Sequence, residues 1–196
     1  MKAIGPEGFE AMFRADVDPW NYRASRFEAF KRKVLLRACG DRPYGRTLEL
    51  ACANGETTLA LAPRSLRLLA LDSSPTVITE AERRTAHLDG VETAVAVLPR
   101  EMPKGTFDLI VVSEILYYLG LRDCRVLLRS LANATRGRIV IVHHVRDFGD
   151  AAQKPFRAQA DARRFLRARM SEVFHERHGR FEALAFDAHR SRGASR

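Results

Sequence analysis

Short apolar stretches alternate along this chain with segments of helical character. The apolar stretches have the length of buried strands, and they cover residues 46–51, 66–72, 91–98, 107–114 and 138–144. The helical segments between them cover residues 56–64, 74–88 and 121–135. Ser74 and Pro75 are suited to the cap and first position of a helix. Strands that alternate with helices are typical of crossover units on a parallel sheet buried on both faces, so we predict an α/β, doubly wound fold.

The two ends of the chain have other patterns. Residues 21–38 predict a helix, because apolar residues recur there at intervals of three and four. These residues are Phe27, Phe30, Val34 and Leu35. An arginine-rich helix is predicted near residues 156–170. The alternation across residues 174–190, around Gly179, predicts a closing antiparallel hairpin.

The length and composition favour one domain. With 196 residues, of which 46% are apolar, the chain can bury one sizeable core and is short for two. We predict a single domain with an N-terminal helical lid element (1–40), a cofactor-binding half (41–150), a C-terminal helix and hairpin (151–190) and a tail (191–196).

The protein is expected to be soluble and cytoplasmic. No apolar run approaches the ~20 residues that a membrane helix needs, and the N-terminus lacks the apolar core of a signal peptide. The three cysteines, Cys39, Cys52 and Cys124, are scattered and odd in number, so they suggest neither a disulfide framework nor a metal-ligand spacing. We expect no membrane span and no bound metal.

The formal net charge of +9 favours anionic partners in general. The densest basic group is Arg157, Arg163, Arg164, Arg167 and Arg169, in a segment of helical character. A solvated helix face explains this group better than a nucleic-acid surface, because no known nucleic-acid motif accompanies it. A nucleic-acid partner is therefore possible but less favoured.

In an open α/β sheet, ligands bind beyond the carboxyl ends of the strands. The stretch "TLELACANGETT" (47–58) takes the chain from the first strand into a helix through a tight turn. Gly55 can adopt a positive φ there without cost, whereas Ala51 and Ala53 cannot do so freely. Asp72 follows at the end of the next strand, where a carboxylate can accept hydrogen bonds from ribose hydroxyls. The turn and the acid together indicate a cofactor that contains a nucleoside.

The residues also indicate which cofactor this is. The fuller glycine pattern of a pyrophosphate site is absent, and Glu49 would repel a phosphate. An acid at this position suits a cationic ligand, such as the amino group and sulfonium of S-adenosylmethionine. The alternative is that Glu49 only caps neighbouring amides.

Four stretches resemble the nodulation-protein-S (NodS) family of class I S-adenosylmethionine-dependent methyltransferases. They are "DPWNYRASRFEAFKRKVLL", "LELACANGETTLALAPR", "LLALDSSP" and "FDLIVVSEILYYL", between about Asp18 and His144. The resemblance implies a mostly parallel seven-stranded sheet of Rossmann-like type. It also implies N-methylation, which named members carry out on the free amine of a deacetylated glucosamine in a chitin-type oligosaccharide.

The resemblance further implies roles for individual residues. The cofactor-binding candidates are Trp20, Arg23, Glu49, Ala51, Cys52, Ala53, Asn54, Gly55, Asp72, Ser73, Val97, Leu98 and Ser113. Trp20 and Arg23 would close over the cofactor, and Glu114 and Tyr117 would face the methyl group and its acceptor. The chain departs from the family pattern at Ala51, at Val97 and Leu98, where an acid is frequent, and at the loop "TRGR".

Methyl transfer to an amine requires that the amine lose a proton, and Glu114, His143 or His144 could accept it. Because neighbouring strand residues point to opposite faces, at most one of the two histidines faces the pocket. Three hypotheses follow: a methyltransferase for an amino-sugar or another small amine, an RNA methyltransferase, and a non-catalytic binding module on a degenerate fold.

Overall fold

The structure is a computed structural model that describes residues 3–189, and its seven strands form one sheet. The strands are β1 (Tyr44–Leu50), β2 (Ser65–Asp72), β3 (Val91–Val95), β4 (Phe107–Ser113), β5 (Thr135–His144), β6 (Met170–His178) and β7 (Phe181–Ala188). Their order across the sheet is β3-β2-β1-β4-β5-β7-β6. The first five strands pair in parallel, and β7 pairs antiparallel with both β5 and β6. This is the predicted doubly wound sheet with a C-terminal antiparallel hairpin.

Helices cover both faces of the sheet. Within residues 3–189 they are α1 (Pro6–Ala15), α2 (Arg26–Cys39), α3 (Glu56–Leu61), α4 (Pro75–Thr85), α5 (Leu121–Ala134) and α6 (Pro155–Arg167). On one face, α2 contributes Val34 and Leu35 to a buried cluster that includes Val111 and Val140 of the central strands. On the other face, α5 and α6 pack over alternating residues of the same strands. The central strands are therefore buried on both sides, which explains their nearly continuous apolar sequence.

Most predicted elements are present, with shifted ends. Strand β3 ends at Val95 rather than near residue 98, because Val95 pairs with Asp72, the last residue of β2. Helix α2 begins at Arg26 rather than at residue 21, and the Ser25 side chain accepts the amide of Glu28 to cap it. Ser74 caps α4 as expected, by accepting the amide of Val77.

Two further points concern the ends of the chain. Helix α1 lies inside the predicted lid element, although no helix was predicted at its own position. The predicted tail, 191–196, lies outside the described residues, as does Arg190. No helix within residues 3–189 has the length and apolar character needed to cross a membrane.

Candidate active site

A cavity of about 500 Å³ opens at the carboxyl ends of the parallel strands. Eleven of the predicted site residues line it: Trp20, Ala51, Ala53, Asp72, Ser73, Val97, Leu98, Ser113, Glu114, Tyr117 and His144. The volume lies within the range of about 300–1,000 Å³ that is usual for small-molecule sites. Strand ends far apart in the sequence thus meet where an open α/β sheet is expected to bind its ligand.

The turn after β1 has an unusual backbone. Ala51 has a φ of 55°, Ala53 a φ of 47° and Gly55 a φ of 80°, so all three residues are in the left-handed region. Two alanines therefore adopt a conformation that was expected to be unfavourable for them. A Cβ atom at Gly55 would also lie 3.3 Å from Ala81 of α4, a tight contact that adds to the conformational preference for glycine at this position.

Asp72 joins this turn to the start of α4. Its carboxylate accepts the amide of Ala53 at 3.1 Å and the amide of Ser74 at 3.1 Å, one on each oxygen. Each oxygen keeps a second lone pair for a ligand hydroxyl. Burial raises the pKa of Asp72, against the lowering effect of these amides.

Four predicted cofactor residues of this region do not line the cavity: Glu49, Cys52, Asn54 and Gly55. Glu49 is fully buried and accepts the Thr58 hydroxyl at 2.7 Å, and burial raises its pKa to about 8. Among the described residues, the side-chain oxygen of Asn54 is a buried polar atom without a hydrogen-bond partner. These four residues therefore belong to the structure of the turn and not to the cavity lining.

Glu114 is the most connected side chain of the cavity. Its backbone is also in the left-handed region, with a φ of 54°. One carboxylate oxygen accepts Lys31 Nζ at 2.7 Å, and the other accepts the His144 amide at 2.9 Å and the Tyr117 hydroxyl. Burial alone would raise its pKa, but Lys31 and the other donors hold it well below its usual range. These donors therefore favour the ionised carboxylate of Glu114, whose candidacy as the proton acceptor stays a prediction.

The two neighbouring histidines have different environments. His143 is buried, and its Nε2 accepts the amides of Ile115 at 3.2 Å and Leu116 at 3.1 Å. Its Nδ1 lies 3.0 Å from Gln159 Oε1, and burial lowers its pKa to about 4. His143 thus caps these amides and does not line the cavity, and its candidacy as the proton acceptor stays a prediction. His144 lines the cavity, with Nδ1 3.7 Å from Glu114.

The N-terminal segment forms one wall of the cavity. Trp20 lines it and packs edge-on against Phe13 of α1, with 5.7 Å between ring centroids. The Glu10 carboxylate fixes α1 to the start of α4 by accepting the Ser74 hydroxyl at 2.6 Å and the Thr76 hydroxyl at 2.7 Å. Arg23 is exposed and does not line the cavity, and its expected place over the cofactor stays a prediction.

Ser73, Val97, Leu98 and Ser113 complete the predicted part of the lining. The Val97 amide donates to the Glu101 carboxylate, so an acid is present nearby although none replaces Val97 itself. Apolar residues dominate this end of the cavity, which suits a flat heterocycle.

Several lining residues were not predicted. They include Glu28 and Lys31 of α2, and the aromatic residues Phe9, Phe13, Tyr22, Tyr118 and Phe148. Lys31 had a visible signal, because it is a charge within the apolar stripe, four residues from both Phe27 and Leu35. The described residues contain no group of His, Cys, Asp and Glu arranged to hold a metal ion.

Comparison with known proteins identifies the family of this chain. The family model of nodulation protein S (NodS) matches residues 8–142. The chain belongs to the NodS family. Nodulation protein S of Rhizobium tropici is 36% identical over 104 residues, which are 53% of this chain and 44% of the relative. That of Sinorhizobium fredii is 36% identical over 103 residues, 52% of this chain and 48% of the relative. The chain thus spans about half the length of the curated NodS relatives it matches.

A crystal structure from the NodS family has the same fold. The N-methyltransferase NodS from Bradyrhizobium japonicum, in complex with S-adenosylhomocysteine, matches with a TM-score of 0.78 at 23% identity. The match covers 92% of this chain and 98% of that chain. The predicted methyltransferase-type fold is confirmed.

Proposed function

We propose that this NodS-family chain transfers a methyl group from S-adenosylmethionine to the nitrogen of a small-molecule amine, with an amino-sugar as the first acceptor class. The observation that carries the proposal is the convergence of Asp72 and the Ala51–Gly55 turn with Glu114 and His144 around one cavity. Family membership supports the same reaction. It does not favour the RNA methyltransferase or the non-catalytic module.

The cofactor fits the groups on this side of the cavity. Asp72 would bind the ribose hydroxyls with its remaining lone pairs, and the backbone of Ala51 and Ala53 would lie against the methionine part. Glu49 is a buried acid close to this turn, where a ligand ammonium group would favour its charged form. Val97 and Leu98 would contact the adenine.

At the other end of the cavity, we propose that Glu114 and His144 act on the acceptor. Bound S-adenosylmethionine supplies an electrophilic methyl group. The Glu114 carboxylate accepts an N–H of the amine and orients it, and His144 takes the proton that the amine must lose. Orientation matters because holding two reactants in line can supply on the order of 7–11 kcal/mol of the barrier. We also propose that the protein is located in the cytoplasm.

The test of the cofactor site is Asp72→Ala. Loss of two charge-assisted hydrogen bonds should weaken S-adenosylhomocysteine binding by about 1.5–3 kcal/mol, roughly 10- to 150-fold, in a calorimetric titration. Asp41→Ala, at an exposed residue outside the cavity, is the matched control. Equal affinity of the Asp72 variant and the wild type would remove the site assignment.

The test of the acceptor uses labelled methyl groups. We expect transfer to deacetylated chitooligosaccharides or other small amines and none to bulk RNA. Transfer to RNA alone would favour the RNA methyltransferase, and cofactor binding without transfer to any amine would favour the non-catalytic module.

A further inference from the structure

Lys31 is a buried cation that contacts the acceptor side of the cavity. It projects from α2, and its side chain is only 8% exposed. Its Nζ lies 2.8 Å from a carboxylate oxygen of Glu28 and 2.7 Å from one of Glu114. A lysine is almost never buried without such partners, since the loss of hydration must be offset by paired charges and hydrogen bonds.

Glu114 needs this partner to keep its charge. A carboxyl group removed from water favours the protonated form, in which it would donate rather than accept a hydrogen bond. The opposing charge of Lys31, 2.7 Å away, favours the carboxylate. The remaining ionisable groups around Glu114 are Tyr117 beside it, His143 and His144 on β5, Glu28 on α2, and the more distant Tyr22 and Tyr118. Compared with these groups, Lys31 is the cation in direct contact with the Glu114 carboxylate.

The same network also fixes the direction of the carboxylate. Lys31 holds one oxygen, and the His144 amide and Tyr117 hydroxyl hold the other. These three bonds occupy three of the about four lone-pair positions of a carboxylate. One acceptor position is left, on a side chain that lines the cavity. The left-handed backbone of Glu114 is consistent with a functional placement, because such strain persists only where the surroundings enforce it.

We propose that Lys31 is a positioning residue, which keeps Glu114 charged and aimed so that its free lone pair accepts an N–H of the amine. This role rests on the proposed amine methylation. Lys31 acts through Glu114 and does not itself touch the reacting atoms. Glu28 anchors the other side of the lysine, so the ammonium group cannot swing away from Glu114.

The first experiment follows the Glu114 carboxyl carbon by NMR during a pH titration, with Glu114→Gln for assignment. It needs no acceptor and so does not depend on the proposed function. In the wild type and in Lys31→Arg, the carboxyl should stay ionised throughout the stable pH range. In Lys31→Met its titration should move upward by about 2 pH units or more. Lys33→Met, at an exposed lysine of the same helix, is the matched control. Identical titrations in Lys31→Met and the wild type would overturn the proposal.

The second experiment measures methyl transfer to a deacetylated chitooligosaccharide. Lys31→Met should lower kcat at least about tenfold near neutral pH, with S-adenosylhomocysteine affinity within about threefold of the wild type. The acidic limb of its pH profile should move upward, and Lys31→Arg should restore most of kcat. An unchanged kcat and profile in Lys31→Met would contradict the positioning role, whereas loss of cofactor binding by the wild type would contradict the proposed function instead.

Folding failure is itself informative. If Lys31→Met does not fold, Lys31→Gln replaces it, since glutamine keeps a hydrogen-bond donor without the charge. The same outcomes are then expected. If neither variant folds, the ion pair serves stability and the positioning role is rejected.

Discussion

The alanines of the Ala51–Gly55 turn hold a backbone conformation that costs free energy. A left-handed conformation disfavours any residue with a Cβ by roughly 1–2 kcal/mol, and Ala51 and Ala53 both adopt it. Asp72 helps to enforce it by accepting the Ala53 amide. The turn therefore keeps the conformation of a glycine-rich loop with alanine at two of its left-handed positions, which removes the main reason to regard the fold as degenerate.

Ala51→Gly and Ala53→Gly should each stabilise the protein. The free energy gained by removing the left-handed strain exceeds the free energy lost through the greater unfolded-state entropy of glycine. The expected gain in stability is therefore about 0.5 kcal/mol per substitution. Urea denaturation measures it. Ala60→Gly, inside α3, is the control and should instead lose about 0.5–1 kcal/mol. A loss of stability at Ala51 or Ala53 comparable to that at Ala60 would contradict the strain argument.

The sequence predicts the location of some residues of the site but not the contacts that their side chains make. Asp72 and Glu114 could be located because strand ends converge at one edge of a parallel sheet. The environment of each side chain could not be predicted from the sequence. Lys31 and Glu114, for example, are in contact although they are 83 positions apart. Such a contact depends on how α2 docks, which periodicity does not specify. The choice between His143 and His144 likewise required the register of β5 with its neighbours.

At the scale of elements, α1 is held by tertiary contacts more than by its own sequence. It has ten residues, and isolated helices of that length are marginal in water. A helix this short contains only a brief periodic pattern, so the sequence predicts it less readily than the long apolar strands. Its main attachment is Glu10, whose carboxylate lies at the N-terminus of α4 and accepts the Ser74 and Thr76 hydroxyls. Hydrogen bonds from these hydroxyls lower the pKa of Glu10 to about 2.

Glu10→Gln should loosen the attachment of α1. The amide has one acceptor oxygen and no charge, so it cannot replace the bonds to the α4 start. Trp20, the one tryptophan of the chain, packs against Phe9 and Phe13 of α1 and reports the change. We expect stronger quenching of its fluorescence by acrylamide. Glu7→Gln, an exposed acid of the same helix, should leave quenching unchanged. Equal quenching in both variants would show that Glu10 does not hold the helix.

At the scale of the whole molecule, His143 connects three parts of the fold. It belongs to β5, caps the segment after β4 through two amides, and contacts Gln159 of α6. Protonation would place a hydrogen on the Nε2 atom that accepts those amides, so the folded protein disfavours it. This agrees with the direction of its pKa, which burial lowers to about 4 from a usual 6.5.

His143 should therefore destabilise the protein on mild acidification, whereas Glu49, whose pKa burial raises to about 8, acts in the opposite direction. Between about pH 6.5 and about pH 4, the unfolded chain binds a proton at His143 and the folded chain does not, so the contribution of His143 to the free energy of unfolding falls by about 2–3 kcal/mol. Urea denaturation at several pH values measures the slope. His143→Asn should lack this contribution and differ in slope from the wild type, whereas His87→Asn, at an exposed histidine, should match the wild type. Equal slopes in all three proteins would exclude His143 as the cause.

The pairing of β5 with β4 and β7 has an evolutionary consequence. A shift of β5 by one residue would exchange the faces of His143 and His144, so the buried cap and the cavity side chain would trade places. One inserted or deleted codon in this strand would thus change the buried cap and the cavity lining together. We expect length variation among relatives to be concentrated in the loop at 145–154, where the backbone is free of strand pairing.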